Sequence, residues 1–327
     1  MYRFSAALVA TLLLSTQSFA DDSSAALGMG GVVLTQAADI RMAKEDLYVS
    51  PTKVRIRFEF VNDSPHDIDT IVAFPLPDID ESEYSESAMG TTTADPVNFV
   101  GFHTVADGKA VAARVEQRAF YNGRDVSAVI ASTGVPLNVD NASAYDKLTA
   151  LGPAKRQILI RAGLAEPEDK YLHPNWSVRT RFYWTQHFPA GKTVVLEHDY
   201  QPVTGAFFFP VKDTDADAMK TYCVDAAGFA AARRLLDAGK RSKVELAQSS
   251  YLSATDTDYI LLSGNNWKGP IGHFHLTLDK LKPENILSLC WDGDLKKTGA
   301  TTFETTLENF APKRDIKLLV LQNAPNQ

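Results

Sequence analysis

The amino-acid sequence predicts a mainly β protein with two β-sandwich-like domains, the first carrying a helical insertion and the second one packed helix. Most of the chain consists of short runs that alternate apolar and polar residues and are bounded by Gly, Pro, Asn or Asp. Helical patterns are confined to residues 122–172 and 225–238. With 327 residues, 45% of them hydrophobic, the chain can form two folded cores. We place the domains at residues 21–205 and 206–327.

Residues 1–20 are predicted to be a secretory signal peptide. Arg3 precedes the apolar run Ala6–Leu14, and Ser18-Phe-Ala20 has the small-x-small pattern of a cleavage site. The expected mature N-terminus is Asp21, and the expected location is periplasmic or secreted. No later stretch has the roughly 18 uninterrupted apolar residues of a spanning helix, so no transmembrane segment is expected.

The formal net charge is −7, from 33 Lys and Arg against 40 Asp and Glu. Nucleic acids and anionic membrane surfaces attract proteins with an excess of positive charge. The composition therefore argues against nucleic acid or an anionic membrane as the main partner. The expected partner is an envelope protein or a glycan.

The alternation is clearest between Thr52 and Val61. Apolar residues occupy one parity of this run, and Lys53, Arg55, Arg57 and Glu59 occupy the other, which is typical of a strand with one buried face. The polar residues 62–67 can form a turn, and a return strand is predicted at residues 68–74. We expect these two strands to form a hairpin.

The rest of the first domain continues this pattern around the helical insertion. Asp107-Gly108 predicts a hairpin between residues 99–105 and 110–118. Three helices are predicted at residues 126–132, 144–151 and 153–162, the last beginning with a Pro in its first turn and each followed by a Gly. Residues 176–187 and 192–200 are expected to pair across the turn at 188–191.

Two family resemblances follow from these motifs. The strand pattern, the Asn62-Asp-Ser64 turn, Ala73–Pro77 and the Asp107-Gly-Lys hairpin resemble the vault/inter-α-trypsin (VIT) domain, which implies a β-sandwich interaction module for about residues 54–121. Over the mature chain the sequence resembles the bacterial domain-of-unknown-function family 4424, which implies no particular activity. This second resemblance rests on Asp22–Leu27, Gly30–Val32, Asp46–Pro51, Ala73–Pro77, Tyr222-Cys223 and Asn265–Ile271.

The second domain is predicted to begin with a polar linker and an amphipathic helix. Asp225 to Ala238 places Phe229, Leu235 and Leu236 on one face, and Gly239 is expected to end the helix. Strands are then predicted at residues 243–249, 259–263, 271–278, 286–291 and 316–321, with 301–307 as a further candidate.

Cys223 and Cys290 are the only two cysteines. In an exported protein such a pair favours a disulfide. The alternative is two separate buried thiols, because free Cys is often a core residue. We expect the bridge, which would attach the predicted helix to the adjacent sheet.

Two groups of residues are candidate metal ligands. His273 and His275 are two apart on a predicted strand, so their rings share a face, but no third ligand is evident nearby. Asp213, Asp215 and Asp217 match the first positions of a calcium loop, but its Gly and final Glu are missing, so a polar linker is the preferred interpretation. No cofactor is expected.

Catalysis is not supported by any recognisable motif. The chain has no nucleophile elbow, His-Glu-x-x-His helix, Cys-x-x-Cys pair or phosphate-binding loop.

The leading hypothesis is thus a non-enzymatic binding or envelope-assembly module. The alternatives are an envelope hydrolase or carbohydrate-active enzyme with carboxylates on distant strands, and a carbohydrate-binding module. For the last, sugar-stacking aromatics would be Trp176, Tyr183, Trp184, Trp267 and Trp291, although core packing is the preferred role.

Overall fold

A computed structural model of the protein describes residues 23–28, 31–82, 93–139, 142–169, 171–211 and 216–323. The predicted signal peptide and the residues Asp213 and Asp215 lie outside the described residues, and the side chain of Asp217 is likewise not described. Within the described residues, no helix combines the length and apolar composition needed to cross a membrane.

The described chain is mainly β. Its strands are β1 Ser23–Gly28, β2 Gly31–Thr35, β3 Ile40–Ser50, β4 Lys53–Asn62, β5 Ile68–Pro75, β6 Ile79–Asp80, β7 His103–Ala106, β8 Lys109–Ala110, β9 Arg114–Tyr121, β10 Arg124–Asp125, β11 Ala165–Glu168, β12 Tyr171–Pro174, β13 Ser177–Phe188, β14 Thr193–Tyr200, β15 Thr204–Pro210, β16 Tyr251–Tyr259, β17 Ile271–Asp279, β18 Ile286–Ser288, β19 Lys296–Lys297, β20 Thr302–Phe310 and β21 Ile316–Gln322. The α-helices are α1 Ser127–Thr133, α2 Ala142–Thr149, α3 Pro153–Arg161, α4 Ala216–Tyr222, α5 Ala226–Arg241 and α6 Glu245–Gln248, and a 3₁₀ helix spans Leu262–Asn266.

Three larger sheets form the body of the protein. One has the strand order β10-β9-β13-β5-β1-β2, with β6 beside β13. The eight-stranded sheet has the order β19-β20-β17-β3-β4-β14-β7-β8, and a four-stranded sheet has the order β15-β16-β21-β18. Among the described strands, β17 and β3 pair in parallel and the other pairings are antiparallel. The main hydrophobic core takes side chains from all three sheets, including Phe58, Phe182 and Leu318.

The alternation in β4 is confirmed. Val54, Ile56, Phe58 and Phe60 are at most 3% exposed, while the polar residues between them face outward. Burial of such a row of apolar side chains supplies much of the driving force for the sandwich.

Two predicted hairpins are wrong. Strands β4 and β5 belong to different sheets, and so do β13 and β14. Both connections cross from one sheet to the other. The buried Asn62 side chain is hydrogen-bonded to both connections. Its Nδ2 donates to the carbonyl oxygens of His66 at 2.8 Å and Phe188 at 2.9 Å. Alternation and a polar loop are the same for a hairpin and for a sheet-crossing corner, so the sequence pattern did not distinguish them.

The hairpin at Asp107-Gly108 is confirmed, since β7 pairs with β8 across it. Its predicted return strand is divided, because β8 ends at Ala110 and β9 joins the other sheet. The three predicted helices of the insertion are confirmed as α1, α2 and α3, and they pack on a core of their own that includes Leu148, Leu159 and Trp176.

In the last third of the chain, α5 lies where a helix was predicted, and Asp225 Oδ1 accepts the N-cap hydrogen bond from the Gly228 amide at 2.7 Å. Gly239 lies inside α5 and does not end it. Two strand predictions are wrong: residues 243–249 contain α6, and 259–263 run into the 3₁₀ helix. The prediction missed β16, which contains two Asp residues, a type that is depleted in strands.

One sheet crosses the predicted domain boundary. Strands β17, β19 and β20, which follow residue 206, extend the sheet that contains β3, β4, β7 and β14. The division into residues 21–205 and 206–327 stays a prediction, and the shared sheet indicates that any separate folding of the two parts would break the pairing between β3 and β17.

Gly272 in β17 is required by the close approach of β3. A Cβ atom at this position would lie 2.6 Å from the backbone oxygen of Ala43, at the bulge between Met42 and Lys44. We expect Gly272→Ala to lower the free energy of unfolding by about 2 kcal/mol because the backbone must shift. The matched control is Gly152→Ala, where a Cβ atom meets nothing within 4 Å. Urea denaturation showing equal stability for the two variants would contradict this account of the bulge.

Candidate functional site

The outer face of the eight-stranded sheet forms a broad polar groove of about 510 Å³. We call the outward side chains of β3, β4, β7, β14 and β17 that line this groove the polar face. The strand alternation that buries the apolar residues of β4 also points Lys53, Arg55 and Arg57 into the groove. The core side of the sheet holds the strands in place, so the polar face has a rigid support.

Cross-strand register arranges the polar face in rows. In the first row, Thr277 of β17 lies opposite Tyr48 of β3, which lies opposite Arg55 of β4. Arg55 in turn lies opposite Asp199 of β14, and Asp199 lies opposite His103 of β7. Side chains that are directly opposite across strands have Cβ atoms about 5 Å apart, so the row is one continuous surface.

The second row is parallel to the first. It runs from His275 through Asp46, Arg57 and Glu197 to Val105. Arg57 has ion pairs with Glu59 on its own strand and with Glu197 at 3.7 Å. The hydrogen bond to Glu59 raises the pKa of Arg57 above its ordinary value. This row is therefore largely neutralised internally.

Arg55 differs from the other cations of the groove. Its guanidinium carbon lies 4.7 Å from the centroid of the Tyr48 ring. The Tyr48 hydroxyl donates to Asp279 Oδ2 at 2.9 Å, and Asp279 Oδ1 accepts from the Leu281 amide at 2.8 Å. Burial raises the pKa of Tyr48, and the bond to Asp279 adds to the effect. The ring thus provides a neutral, oriented platform for a cation.

The two predicted metal-ligand histidines both lie at this sheet. His273 Nδ1 is 2.6 Å from Glu308 Oε1, and His275 Nδ1 is 3.2 Å from Asp46 Oδ1. His275 Nε2 is also 3.7 Å from Glu304 Oε2. Among the residues that the structure describes, no group of three or more His, Cys, Asp or Glu side chains could hold a metal ion. The metal hypothesis for His273 and His275 stays without a third ligand.

A second, smaller cavity of about 270 Å³ lies where β16 approaches the segment after β5. Asp256 and Asp258 of β16 line it, and Asp78 lines it from the other side. Asp256 Oδ2 accepts from the Tyr222 hydroxyl at 2.9 Å, and Asp258 Oδ2 accepts from Lys317 Nζ at 2.9 Å. Asp78 is held by Arg179 in a bidentate ion pair.

Asp258 should make stability depend on pH. Burial raises the pKa of its carboxyl, so the folded state favours the protonated form. The protonated carboxyl of Asp258 contributes favourably to the free energy of unfolding below the ordinary carboxyl pKa of about 3.9. This contribution is lost as the pH rises through the pKa of the folded state. We expect Asp258→Asn to gain stability relative to wild type as the pH rises from about 4 to 7. Urea denaturation at several pH values gives this difference, and a difference that does not change with pH would refute the effect.

The pKa of Lys317, the ion-pair partner of Asp258, is raised as well. Burial alone would lower the pKa of this ammonium, but the charge of Asp258 and the hydrogen bond to it raise the pKa overall. The charged form of Lys317 is therefore favoured in the folded state, and its contribution to stability is lost only as the pH rises above the ordinary lysine range, whereas the contribution of Asp258 changes at acidic to neutral pH.

The candidate sugar-stacking aromatics are mostly core residues. Trp176, Trp184 and Trp267 are at most 5% exposed, which confirms the preferred prediction of core packing for these three. Trp291 is partly buried and contacts Phe310, with ring centroids 5.9 Å apart.

The structure contains a disulfide between Cys223 and Cys290, whose Cα atoms are 5.0 Å apart. Cys223 lies between α4 and α5, and Cys290 follows β18. Ser288 Oγ donates to the Tyr222 carbonyl oxygen at 2.8 Å beside the bridge. The bridge therefore attaches the helical layer to the four-stranded sheet.

The sequence reasoning found the charged side of β4 but did not identify it as part of a site. Asp46 and His275 are 229 residues apart in the chain, and their meeting depends on the parallel pairing of β3 with β17. Three basic residues at alternate positions of β4 were the available signal. Such a row on a strand is commonly a solvated surface, so the signal needed the register of the neighbouring strands.

Comparison with known proteins gives one family. A family model described as "Domain of unknown function (DUF4424)" matches residues 20–319. No curated protein matches the chain significantly in sequence. Among solved structures, a Legionella pneumophila protein described as a candidate nutrient binding protein is similar, with 15% identity, a TM-score of 0.45, and coverage of 88% of this chain and 68% of that chain. A two-domain M1 zinc metallopeptidase solved with L-tryptophan has 9% identity, a TM-score of 0.24, and coverage of 88% and 44%. Because the family model spans nearly the whole sequence, the chain belongs to the DUF4424 family.

Proposed function

We propose that the protein is exported to the periplasm or secreted, and that it acts there as a non-enzymatic binding or envelope-assembly module that binds its partner on the polar face. The observation that carries this proposal is the groove itself, in which rigid strands present two rows of charged and aromatic side chains. The expected partner is an envelope protein or a glycan, both of which offer hydrogen-bonding groups to such a surface.

Three further features support the proposal. The predicted signal peptide directs the chain out of the cytoplasm. The disulfide between Cys223 and Cys290 is compatible with an oxidising compartment. The resemblance of residues 54–121 to the VIT domain, an interaction module, agrees with a binding role, and these residues include β4 and β7 of the polar face.

The test compares a polar-face variant with a matched control. The variant combines Arg55→Gln, His103→Gln and His275→Gln, which remove three groups that line the groove. The control is Arg234→Gln on α5, an exposed Arg far along the chain from β4. Wild type and control should enrich the same component from an envelope extract of the source organism. Mass spectrometry identifies this component if it is a protein, and a glycan array identifies it if it is a glycan.

The dissociation constant of that component should then be measured for each protein. We expect the triple variant to bind it at least about tenfold more weakly, because charged hydrogen bonds are lost. Circular dichroism and urea denaturation check that the variant is folded. Equal affinity of wild type and triple variant, or no enrichment by wild type, would contradict the proposal.

One observation favours the alternative of an envelope hydrolase or carbohydrate-active enzyme. The second cavity holds Asp256 and Asp258, and the raised pKa of Asp258 suits a general acid. Both carboxylates come from β16, whereas glycosidases place the pair on opposite sides of the scissile bond. Turnover of envelope glycans by wild type, abolished in Asp258→Asn, would establish the alternative. The binding proposal expects no turnover.

A further inference from the structure

We infer that Arg55 is an anion-binding residue of the polar face, and that it recognises a carboxylate or phosphate group carried by a sugar-like ligand beside a hydroxyl or ammonium group. This inference rests on the proposed function, since it names the chemistry of the ligand at the same site. It is carried by the difference between Arg55 and the other cations of the groove.

The other cations that line the groove have carboxylate partners. Lys53 Nζ is 3.6 Å from Asp199 Oδ2, and Arg57 contacts Glu59 and Glu197. Arg55 lies directly opposite Asp199 in the β4–β14 register, yet within the described part of the chain it has no carboxylate at ion-pair distance. Its guanidinium lies over the Tyr48 ring instead. The donors of Arg55 are therefore not occupied by a carboxylate.

The position over Tyr48 orients these donors. A guanidinium that stacks on an aromatic ring uses its flat face for the contact and keeps its N–H groups at the edge. The ring is itself held by the hydrogen bond from its hydroxyl to Asp279. A planar fork of N–H donors matches the two oxygens of a carboxylate or phosphate. The site is thus arranged before the ligand arrives, which lowers the entropic cost of binding.

The surrounding charges define the rest of the ligand. Along β4, Lys53 and Arg57 flank Arg55 at the alternate outward positions, and both are paired with carboxylates, so Arg55 is the cation of this strand whose donors remain for an anion. Across the row, Asp199 lies between Arg55 and His103. A carboxylate at this position repels a bare anion but accepts a hydrogen bond from a neighbouring hydroxyl or ammonium. Uronic acids and phosphosugars have this combination of groups.

The experiment titrates the full chain, exported and purified with its disulfide intact, against D-glucuronate, D-glucose 6-phosphate and D-glucose at low salt. We expect at least one anionic probe to bind and D-glucose not to bind. Binding of glucuronate alone identifies a carboxylate ligand, and binding of the phosphosugar alone identifies a phosphate ligand. If neither anionic probe binds to wild type, the inference is wrong.

Variants separate Arg55 from the general charge of the groove. Arg55→Gln should weaken binding of the anionic probe by about tenfold or more, because a charge-assisted bidentate contact is lost, and Arg55→Lys should restore only part of the affinity. The control Arg234→Gln should leave affinity unchanged. Retained affinity in Arg55→Gln would show that the probe binds elsewhere and would overturn the inference.

The same variant distinguishes this inference from the proposed function. If Arg55→Gln still binds the envelope component and the triple variant does not, the anion inference fails, but the polar face remains the binding surface. If both variants keep the component, the inference and the proposed function fail together.

Discussion

Replacement of Cys290 by Ser is expected to lower the free energy of unfolding by about 4 kcal/mol. The disulfide joins residues 67 apart, so its loss releases a long loop in the unfolded chain. The bridge is also a covalent link between the α4–α5 junction and the strand β18. Urea denaturation of oxidised wild type and of Cys290→Ser gives the difference directly.

Wild type treated with a reductant is the matched control for this prediction. It should unfold at the same urea concentration as Cys290→Ser, because both lack the bridge. Thiol titration of unfolded, unreduced wild type should find no free thiol. Two free thiols in exported protein, or equal stability of oxidised wild type and Cys290→Ser, would contradict the structural role of the bridge.

Replacement of Trp176 by Ala is expected to lower the free energy of unfolding by about 3–5 kcal/mol. Trp176 is 1% exposed and lies in the core beneath the helical insertion, next to the start of β13. Its Nε1 donates to the Leu137 carbonyl oxygen at 2.8 Å, which fixes the segment after α1. The substitution therefore removes both a large buried surface and a buried hydrogen bond.

Trp176→Phe is the control, since it keeps most of the apolar volume and removes the hydrogen bond. It should cost clearly less than Trp176→Ala. Hydrogen exchange should show that α1, α2 and α3 lose protection in Trp176→Ala before the eight-stranded sheet does, because these helices form a separate core. Uniform loss of protection in all sheets would contradict an independent role for that core.

Local features of the fold were predictable where one short stretch contains the whole signal. The alternation of β4, the Asp107-Gly108 turn, the three helices of the insertion and the amphipathic helix α5 are of this kind. Each depends on a period, a turn dipeptide or a cap within about ten residues.

Features that depend on distant parts of the chain were not predictable in this way. Whether β4 continues into a hairpin or crosses to the other sheet depends on the contacts of Asn62 with residues near Phe188. The strand β16 was missed because its Asp residues locally disfavour a strand, while in the structure β15 and β21 pair with it on both sides. In each case tertiary pairing overrides local propensity.

The candidate site shows the same limit more strongly. The row from Thr277 to His103 joins five strands, and no two of its members are adjacent in sequence. Residue type and the spacing of His273 and His275 on one strand singled out His275 as a metal candidate, whereas the structure places it beside Asp46 at 3.2 Å. Arg55 became distinctive only when its contact with Tyr48 and the pairing of Lys53 and Arg57 were known.

The central claim is that the partner binds on the polar face, and hydroxyl-radical footprinting of the protein with and without the captured envelope component tests it most directly. Tyr48, His103 and His275 line the groove and are oxidisable side chains. The account predicts that their oxidation falls when the component is bound, while that of Tyr251 and Phe208, which are exposed on the four-stranded sheet, is unchanged. Unchanged oxidation of Tyr48, His103 and His275, with protection of Tyr251 and Phe208 instead, would contradict it.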